Sequence, residues 1–348
     1  MKNISEIDKN FVVKSNIEKD NIKFFNADES PFKVYGVYRD GDRYRRLPES
    51  VAQTVNPGVL ALHANTAGGR VRFVTDSRYV AINTIMDKIG KMPHFPFSGS
   101  AGFDLYADNV FIKSFMPPVD IHDGYESLIE FDSKQMRDIT INFPLYSDVK
   151  ELYIGLEDSA TVEASPEYKS TKPIVYYGSS ITQGGCASRP GTSYQSFVSR
   201  AFDYDYINLG FSGNAKAEDE IVEYISNLDM SVFVYDYDHN APTTEHLKNT
   251  HEKMFKAIRQ KHPDMPVVMM SRPKHILTEE EQERLNIIKT TYNNALSAGD
   301  KNVYLITGSE LTALCKNEGT VDNCHPTDFG FGSMAKALET VLEKIAVI

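Results

Sequence analysis

Tryptophan is absent from this chain of 348 residues, and cysteine occurs only three times, at Cys186, Cys315 and Cys324. Three thiols cannot all pair within one chain, and their sparseness suits a reducing compartment. Long apolar runs are missing as well. No stretch of about eighteen apolar residues exists, which excludes a transmembrane helix. The leading segment Met1–Lys9 lacks the apolar centre of a signal peptide, so cytoplasmic placement is the expectation. Positive charge is in deficit: 37 Lys and Arg stand against 48 Asp and Glu, a net charge of −11. That balance argues against nucleic-acid binding and against polybasic attachment to a membrane. No His-Glu-x-x-His pattern or cysteine pair occurs, so His239, His246, His251 and His262 read as solvated or capping side chains, and no metal or cofactor is expected.

What remains is an ordinary globular composition, 41% hydrophobic and 24% charged, in a chain long enough for two domains. The apolar pattern changes period along it. Up to about residue 160 it alternates in twos, as in Val71 and Phe73, in Ile139, Ile141 and Phe143, and in Leu152, Ile154 and Leu156. Turn-forming stretches such as Asn65–Gly69 and Phe97–Ser100 interrupt these segments, which predicts short antiparallel strands in a β-sandwich of jelly-roll kind. After residue 172, short apolar runs recur at Pro173–Tyr177, Tyr204–Leu209, Ser231–Tyr237, Pro266–Met270 and Val303–Thr307. Helical periodicity separates them over Ala217–Leu228, Thr244–Lys261 and Thr278–Ala298 and closes the chain over Asp328–Ile348. Strands alternating with helices imply an α/β fold, a parallel sheet covered on both faces, with its active site at the carboxyl ends of the strands. The small, polar, proline-ended stretch Asp158–Pro166 reads as the linker, dividing the chain into 1–165 and 166–348.

Four segments fall at expected strand ends of the second half. Ser180 follows the first strand, Gly210–Asn214 the second and Asp236–Asn240 the third, while Asp322 and His325 precede the final helix. A serine hydroxyl is a poor nucleophile until a base takes its proton. His325 is the candidate base, and Pro326 biases it toward an extended conformation on a loop. Asp322, three residues earlier, can hold the other ring N–H and stabilise the imidazolium. The backbone N–H groups of Ser180 and Gly213 and the side-chain amide of Asn240 are the candidate oxyanion donors. Plainer readings stand beside these. Ser180 could be a helix N-cap, Gly213 a turn glycine, Asn240 a turn residue before Pro242, and Asp322 a surface turn residue. Cys186 reads as a packed thiol, and Ser333 with Lys336 as incidental neighbours on the last helix. Arg189 and Arg272 could line a pocket or form ion pairs.

The blocks Gly178-Ser179-Ser180-Ile181, Gly213, Asn240 and Asp322-x-x-His325 resemble those of the SGNH, or GDSL, hydrolases. The upstream Gly102-Phe103-Asp104-Leu105-Tyr106 is similar to the Gly-x-Asp-Leu-Tyr signature of a β-domain preceding one branch of that superfamily, whose members resemble carbohydrate esterases. The resemblance implies a flavodoxin-like five-stranded catalytic domain behind a β-sandwich. It also implies catalytic Ser180, Asp322 and His325, with Ser180, Gly213 and Asn240 as the oxyanion hole. Two positions depart from the pattern: Ser179 replaces the usual aspartate before the nucleophile, and Asp238-His239-Asn240 replaces Gly-x-Asn-Asp.

The expected activity is hydrolysis of a short acyl ester, acetyl foremost, on a carbohydrate or small molecule, through an acyl-serine intermediate. Acyl transfer, esters of lipids or small metabolites, and a non-enzymatic carbohydrate-binding protein are the alternatives, and self-association stays open. Without tryptophan, sugar stacking would fall to some of the 19 tyrosines.

Overall fold

The structure, a computed structural model, describes residues 17–345. The Met1–Lys9 segment and the last three residues of the expected C-terminal helix lie outside them.

The period-two segments form strands β1 (Ile22–Asn26), β2 (Lys33–Tyr35), β3 (Tyr38–Asp40), β4 (Arg43–Arg45), β5 (Arg70–Thr75) and β6 (Tyr79–Met86). They continue with β7 (Phe103–Ala107), β8 (Val110–Phe115), β9 (Gly124–Glu130), β10 (Arg137–Asn142), β11 (Val149–Glu157) and β12 (Val162–Glu163). One antiparallel sheet runs β1-β11-β6-β9, and the other runs β12-β5-β10-β7-β8 with β2 along β5. Leaving aside the short β2, β3, β4 and β12, the eight long strands are distributed between the sheets as in a jelly roll. Register explains the core. Val71 and Phe73 stand opposite Ile141 and Ile139, and their inward faces meet Val80 and Ile82 of β6 and Leu152, Ile154 and Leu156 of β11. Each such side chain contributes roughly 1.5–3 kcal/mol on full burial. Within the stretch read as a linker, Val162 and Glu163 pair with Thr75 and Val74, so part of it completes a sheet.

Parallel strands β13 (Ser170–Gly178), β14 (Tyr204–Gly210), β15 (Val232–Asp236), β16 (Val267–Met270) and β17 (Val303–Ile306) follow, in the order β14-β13-β15-β16-β17. Helices α1 (Glu49–Val55), α2 (Pro57–Leu62) and α3 (Phe97–Ser100) belong to the first half by sequence. Those of the second half are α4 (Ser180–Gln183), α5 (Tyr194–Phe202), α6 (Asp219–Ser226), α7 (Thr244–Lys261), α8 (Glu279–Ser297), α9 (Gly308–Leu311) and α10 (Asp328–Leu342). Successive residues of these strands feed two cores on opposite faces. Val175, Tyr177, Phe233 and Tyr235 enter one; Ile174, Tyr176, Val232 and Val234 enter the other. Double-sided burial is why the strands read as unbroken apolar runs rather than alternations.

The halves are not independent bodies in packing terms. Leu47, Ala52 and Val59, from the start of the chain, lie in the same core as Val175, Leu209 and Phe211. Arg70 and Arg72, outward-facing on β5, are nevertheless buried, because that face meets the second half: Arg70 donates to the Tyr168 hydroxyl and ion-pairs with Asp205.

Arg46 is the deepest of these connections. It is 2% exposed and, among the described residues, forms no ion pair with a carboxylate. Instead it donates to the carbonyls of Leu62 (2.9 Å), Asn65 (2.5 Å), Asn208 (2.9 Å) and Gly210 (2.8 Å), and its guanidinium lies 5.0 Å from the Phe211 ring centroid. Burial lowers its pKa to about 10, which leaves it charged at neutral pH. Replacing it removes donors from four carbonyls at once. Arg46→Met is expected to lower the unfolding free energy by about 2–4 kcal/mol in urea titrations. An unchanged midpoint would show that the carbonyls find other donors.

Candidate active site

The segment after β13 turns into α4 without a spacer. Gly178 permits this, because a Cβ there would stand 2.3 Å from Thr182 Oγ1 and 2.5 Å from Asp236 Oδ1. The helix N-cap is Ser179, whose Oγ accepts the Ile181 N–H at 3.2 Å. The capping role therefore falls on Ser179 and leaves the Ser180 hydroxyl for another partner. That partner is His325, whose Nε2 lies 2.9 Å from Ser180 Oγ.

His325 sits on a tight loop before α10. Asp322 Oδ1 accepts the backbone N–H groups of Cys324 (3.0 Å) and His325 (2.7 Å), while Oδ2 faces His325 Nδ1 at 2.7 Å. Asn323 takes φ +66°, a left-handed turn conformation that asparagine tolerates. One carboxylate thus shapes the turn and orients the ring. Burial pushes the Asp322 carboxyl up, but the hydrogen bonds from His325 outweigh it, and the net pKa falls below the usual carboxylate value. Nδ1 is held as the donor to Asp322, and Nε2 is left to accept the serine proton.

Gly213 and Asn240 line one cleft of about 400 Å³. Gly213 has φ +72°, so the turn itself requires glycine. Asn240 Oδ1 accepts the Ala215 N–H at 3.2 Å, which assigns its NH₂ as a free donor. Among the described residues, no acceptor engages that NH₂ or the backbone N–H groups of Ser180 and Gly213.

Residues 171–343 match the model of the GDSL-like lipase/acylhydrolase family, and residues 22–162 match that of the N-terminus of SGNH-hydrolase-type esterases. The second half of the chain is a GDSL-like lipase/acylhydrolase domain. A protein described as a GDSL-like lipase from Bacteroides ovatus superposes with a TM-score of 0.84 at 28% identity, over 94% of this chain and 98% of that one. A salicylyl-acyltransferase from a tetracycline biosynthetic pathway gives 0.78 at 18% identity over 95% and 99% of the two chains. A family two carbohydrate esterase from Cellvibrio japonicus gives 0.63 at 12% identity over 93% and 98%. The last two share the fold. No curated protein matches the chain by sequence.

In this GDSL-like chain the β-half holds the reactive loops in place. Buried Gln183 accepts the Ser212 N–H at 3.0 Å and donates to Asn65 Oδ1 (3.1 Å) and the Leu145 carbonyl (3.3 Å). Tyr146 donates to the Ser180 carbonyl at 3.1 Å. Asp104, from the Gly-x-Asp-Leu-Tyr signature, is fully buried, accepts the Gly191 N–H at 2.8 Å and ion-pairs with Arg189 at 3.3 Å. It thereby fixes the loop that follows α4. Asp328 of α10 grips the same loop through Ser188 N (2.8 Å) and Thr192 Oγ1 (2.7 Å). Gln183, Asn65 and Tyr146 are supporting residues that sequence reading missed, because their partners lie tens to more than a hundred positions away. The signature motif containing Asp104 was the one available signal.

The GDSL-like site is also strongly charged. Asp238 is buried and grips Arg272 with both oxygens at 2.9 Å, and Arg272 reaches on to Glu281 at 2.9 Å. Arg272 therefore both lines the cleft and forms ion pairs, whereas Arg189 serves as a ligature between the halves. The cleft beside Asn240 is lined by His239, Thr278, Glu280 and Arg284 among others, with no tyrosine. The expectation that tyrosines supply a stacking surface therefore fails at this cleft. Elsewhere Tyr146, Tyr176, Tyr177, Tyr194, Tyr235 and Tyr237 are all buried as core or support.

Asp236, at the end of β15, carries a further constraint. Both carboxyl oxygens are buried beside Ser179 and Thr182, yet neither meets hydrogen-bonding geometry, and burial pushes the pKa up to about 7. A carboxyl raised in the folded state favours folding below its unfolded value near 4, and that advantage is lost as pH rises through 7. Asp236→Asn should therefore gain on the wild type by about 2–3 kcal/mol in unfolding free energy between pH 5 and pH 8. Parallel denaturant titrations at the two pH values read this difference directly and cancel the contributions of the buried histidines. A constant gap would show that Asp236 stays ionised.

Proposed function

We propose that the chain is a serine ester hydrolase that removes short acyl groups, acetyl foremost, from carbohydrate. The observation that carries the reading is the continuous relay from Ser180 Oγ to His325 Nε2 at 2.9 Å and from His325 Nδ1 to Asp322 at 2.7 Å. Ser180 Oγ attacks the ester carbonyl carbon while His325 Nε2 takes its proton. Asp322 stabilises the resulting imidazolium. The negative charge on the former carbonyl oxygen falls to the donors of Ser180, Gly213 and Asn240. Collapse breaks the bond to the alcohol, which leaves with the proton from His325. Water, deprotonated by the same histidine, then releases the acid and frees Ser180.

The polar lining of the cleft supports a hydroxyl-rich alcohol over a lipid chain: Arg272, Thr278, Glu280 and Arg284 offer hydrogen bonds and little apolar area. Carbohydrate recognition here would rest on these polar groups rather than on stacking. Cytoplasmic placement belongs to the same proposal and rests on the three unpaired cysteines. Among the described residues no helix is long and apolar enough to cross a membrane.

Ser180→Ala is expected to cut turnover of an activated acetyl ester by about 10³-fold or more, with the fold intact by circular dichroism. Near-normal turnover would overturn the assignment. Asn240→Ala should lower turnover about 10²–10³-fold, and a smaller loss would return Asn240 to the role of a turn residue. The substrate class is read by mass spectrometry of acetylated xylo- and manno-oligosaccharides. Loss of acetate supports carbohydrate deacetylation, whereas its appearance on an added sugar acceptor identifies an acyltransferase. Intact oligosaccharides alongside active cleavage of simple esters would exclude the carbohydrate reading.

A further inference from the structure

The β-half places one more reactive side chain beside the relay. His94, exposed on the segment between β6 and α3, lies beside His325 with ring centroids 5.6 Å apart and planes tilted by 51°. Cys186, buried on the loop after α4, completes a group of three: the Cys186 thiol and one nitrogen of each imidazole all lie within 4.8 Å of one another. We propose that His94, Cys186 and His325 form an inhibitory zinc site that captures the catalytic histidine.

Donor type and geometry both favour zinc. A tetrahedral ion with bonds of about 2.0–2.3 Å places its donors roughly 3.4–3.6 Å apart, so a cluster whose donors lie within 4.8 Å needs to contract by about 1.4 Å at most. His94 can supply that movement because its side chain is exposed. Two imidazoles and a thiolate suit zinc far better than magnesium or calcium, which require oxygen ligands. His325 Nδ1 is held by Asp322, so the ligand atom is Nε2, the same atom that faces Ser180 Oγ. The carboxylate behind the ring adds the outer support common at zinc-bound histidines. Water or the Ser180 oxygen fills the fourth position.

Binding exchanges one proton for one metal–sulfur bond: the Cys186 S–H is lost, the sulfur's electron pair goes to zinc, and the proton leaves to solvent. Burial pushes this thiol up to about 12, so the proton is still present at neutral pH. With Nε2 occupied, Ser180 has no base. The inhibition rests on the catalytic reading above, whereas the metal binding does not.

The experiment therefore reads the two separately. Cobalt(II), a spectroscopic stand-in for zinc, is titrated into the full chain under reducing conditions. Near-ultraviolet thiolate-to-cobalt absorption is expected, saturating at one metal per chain, displaced by zinc and lost in Cys186→Ser. Turnover of an activated acetyl ester should fall over the same zinc range and recover with a chelator. His94→Ala should keep its basal turnover and require about tenfold more zinc or beyond, since one of three protein ligands is gone. As a surface substitution it preserves the test if Cys186→Ser folds poorly. Absence of the thiolate band, or an identical zinc dependence in wild type and His94→Ala, would overturn the proposal. A thiolate band in a chain that hydrolyses no ester would uphold the metal site and overturn the catalytic reading alone.

Discussion

A single buried guanidinium, Arg46, anchors the arrangement on which the reactive loops depend. It spans from the carbonyls of Leu62 and Asn65 in the first half to those of Asn208 and Gly210 at the end of β14. A charge without a counter-ion is costly in a protein interior unless its donors are satisfied. Here the satisfaction comes from backbone carbonyls on both sides of the seam, so the charge is tolerable only while the halves remain docked. The loop bearing Gly213 leaves β14 a few residues beyond those carbonyls. Its position thus depends on a residue of the first half, 164 positions before Gly210.

The same logic recurs through neutral groups. Gln183 joins the nucleophile helix to the Ser212 N–H on one side and to Asn65 on the other, while Tyr146 steadies the Ser180 carbonyl. Asp104 and Asp328, from β7 and α10, hold the intervening loop from two directions. Oxyanion donors work by being fixed before charge develops, and this shell fixes them. The β-sandwich is therefore part of the scaffold of the candidate active site.

Legibility in the sequence followed the range of the interaction. Asp322 and His325 lie three positions apart and Ser180 directly follows an apolar run, so local pattern alone exposed them, as it exposed the strands whose two faces are both buried. Contacts across the seam left no such trace. Arg70 and Arg72 look like solvent-facing residues in an alternating strand, and only the docked partner explains their burial. Nothing near His94 marks it as a neighbour of His325. The tyrosines, plausible sugar platforms by composition, are in large part packed inside, where aromatic area stabilises more than it recognises. Val162 and Glu163 looked like linker because two residues are too short to carry a period.

The sequence separation of these contacts has a consequence for how the molecule comes into being. Arg46 meets a carbonyl 164 positions ahead of it, Gln183 meets Asn65 across 118, and Ser180 meets His325 across 145. During synthesis the N-terminal residues emerge first, and the jelly roll can close while β14 is still unmade. Ser180, the proposed nucleophile, follows while its proposed base is still missing, because His325 lies 145 positions further on. A nascent chain that stops short of His325 would thus carry Ser180 without its partner, and on the proposed chemistry esterolytic competence would wait for the loop beyond β17.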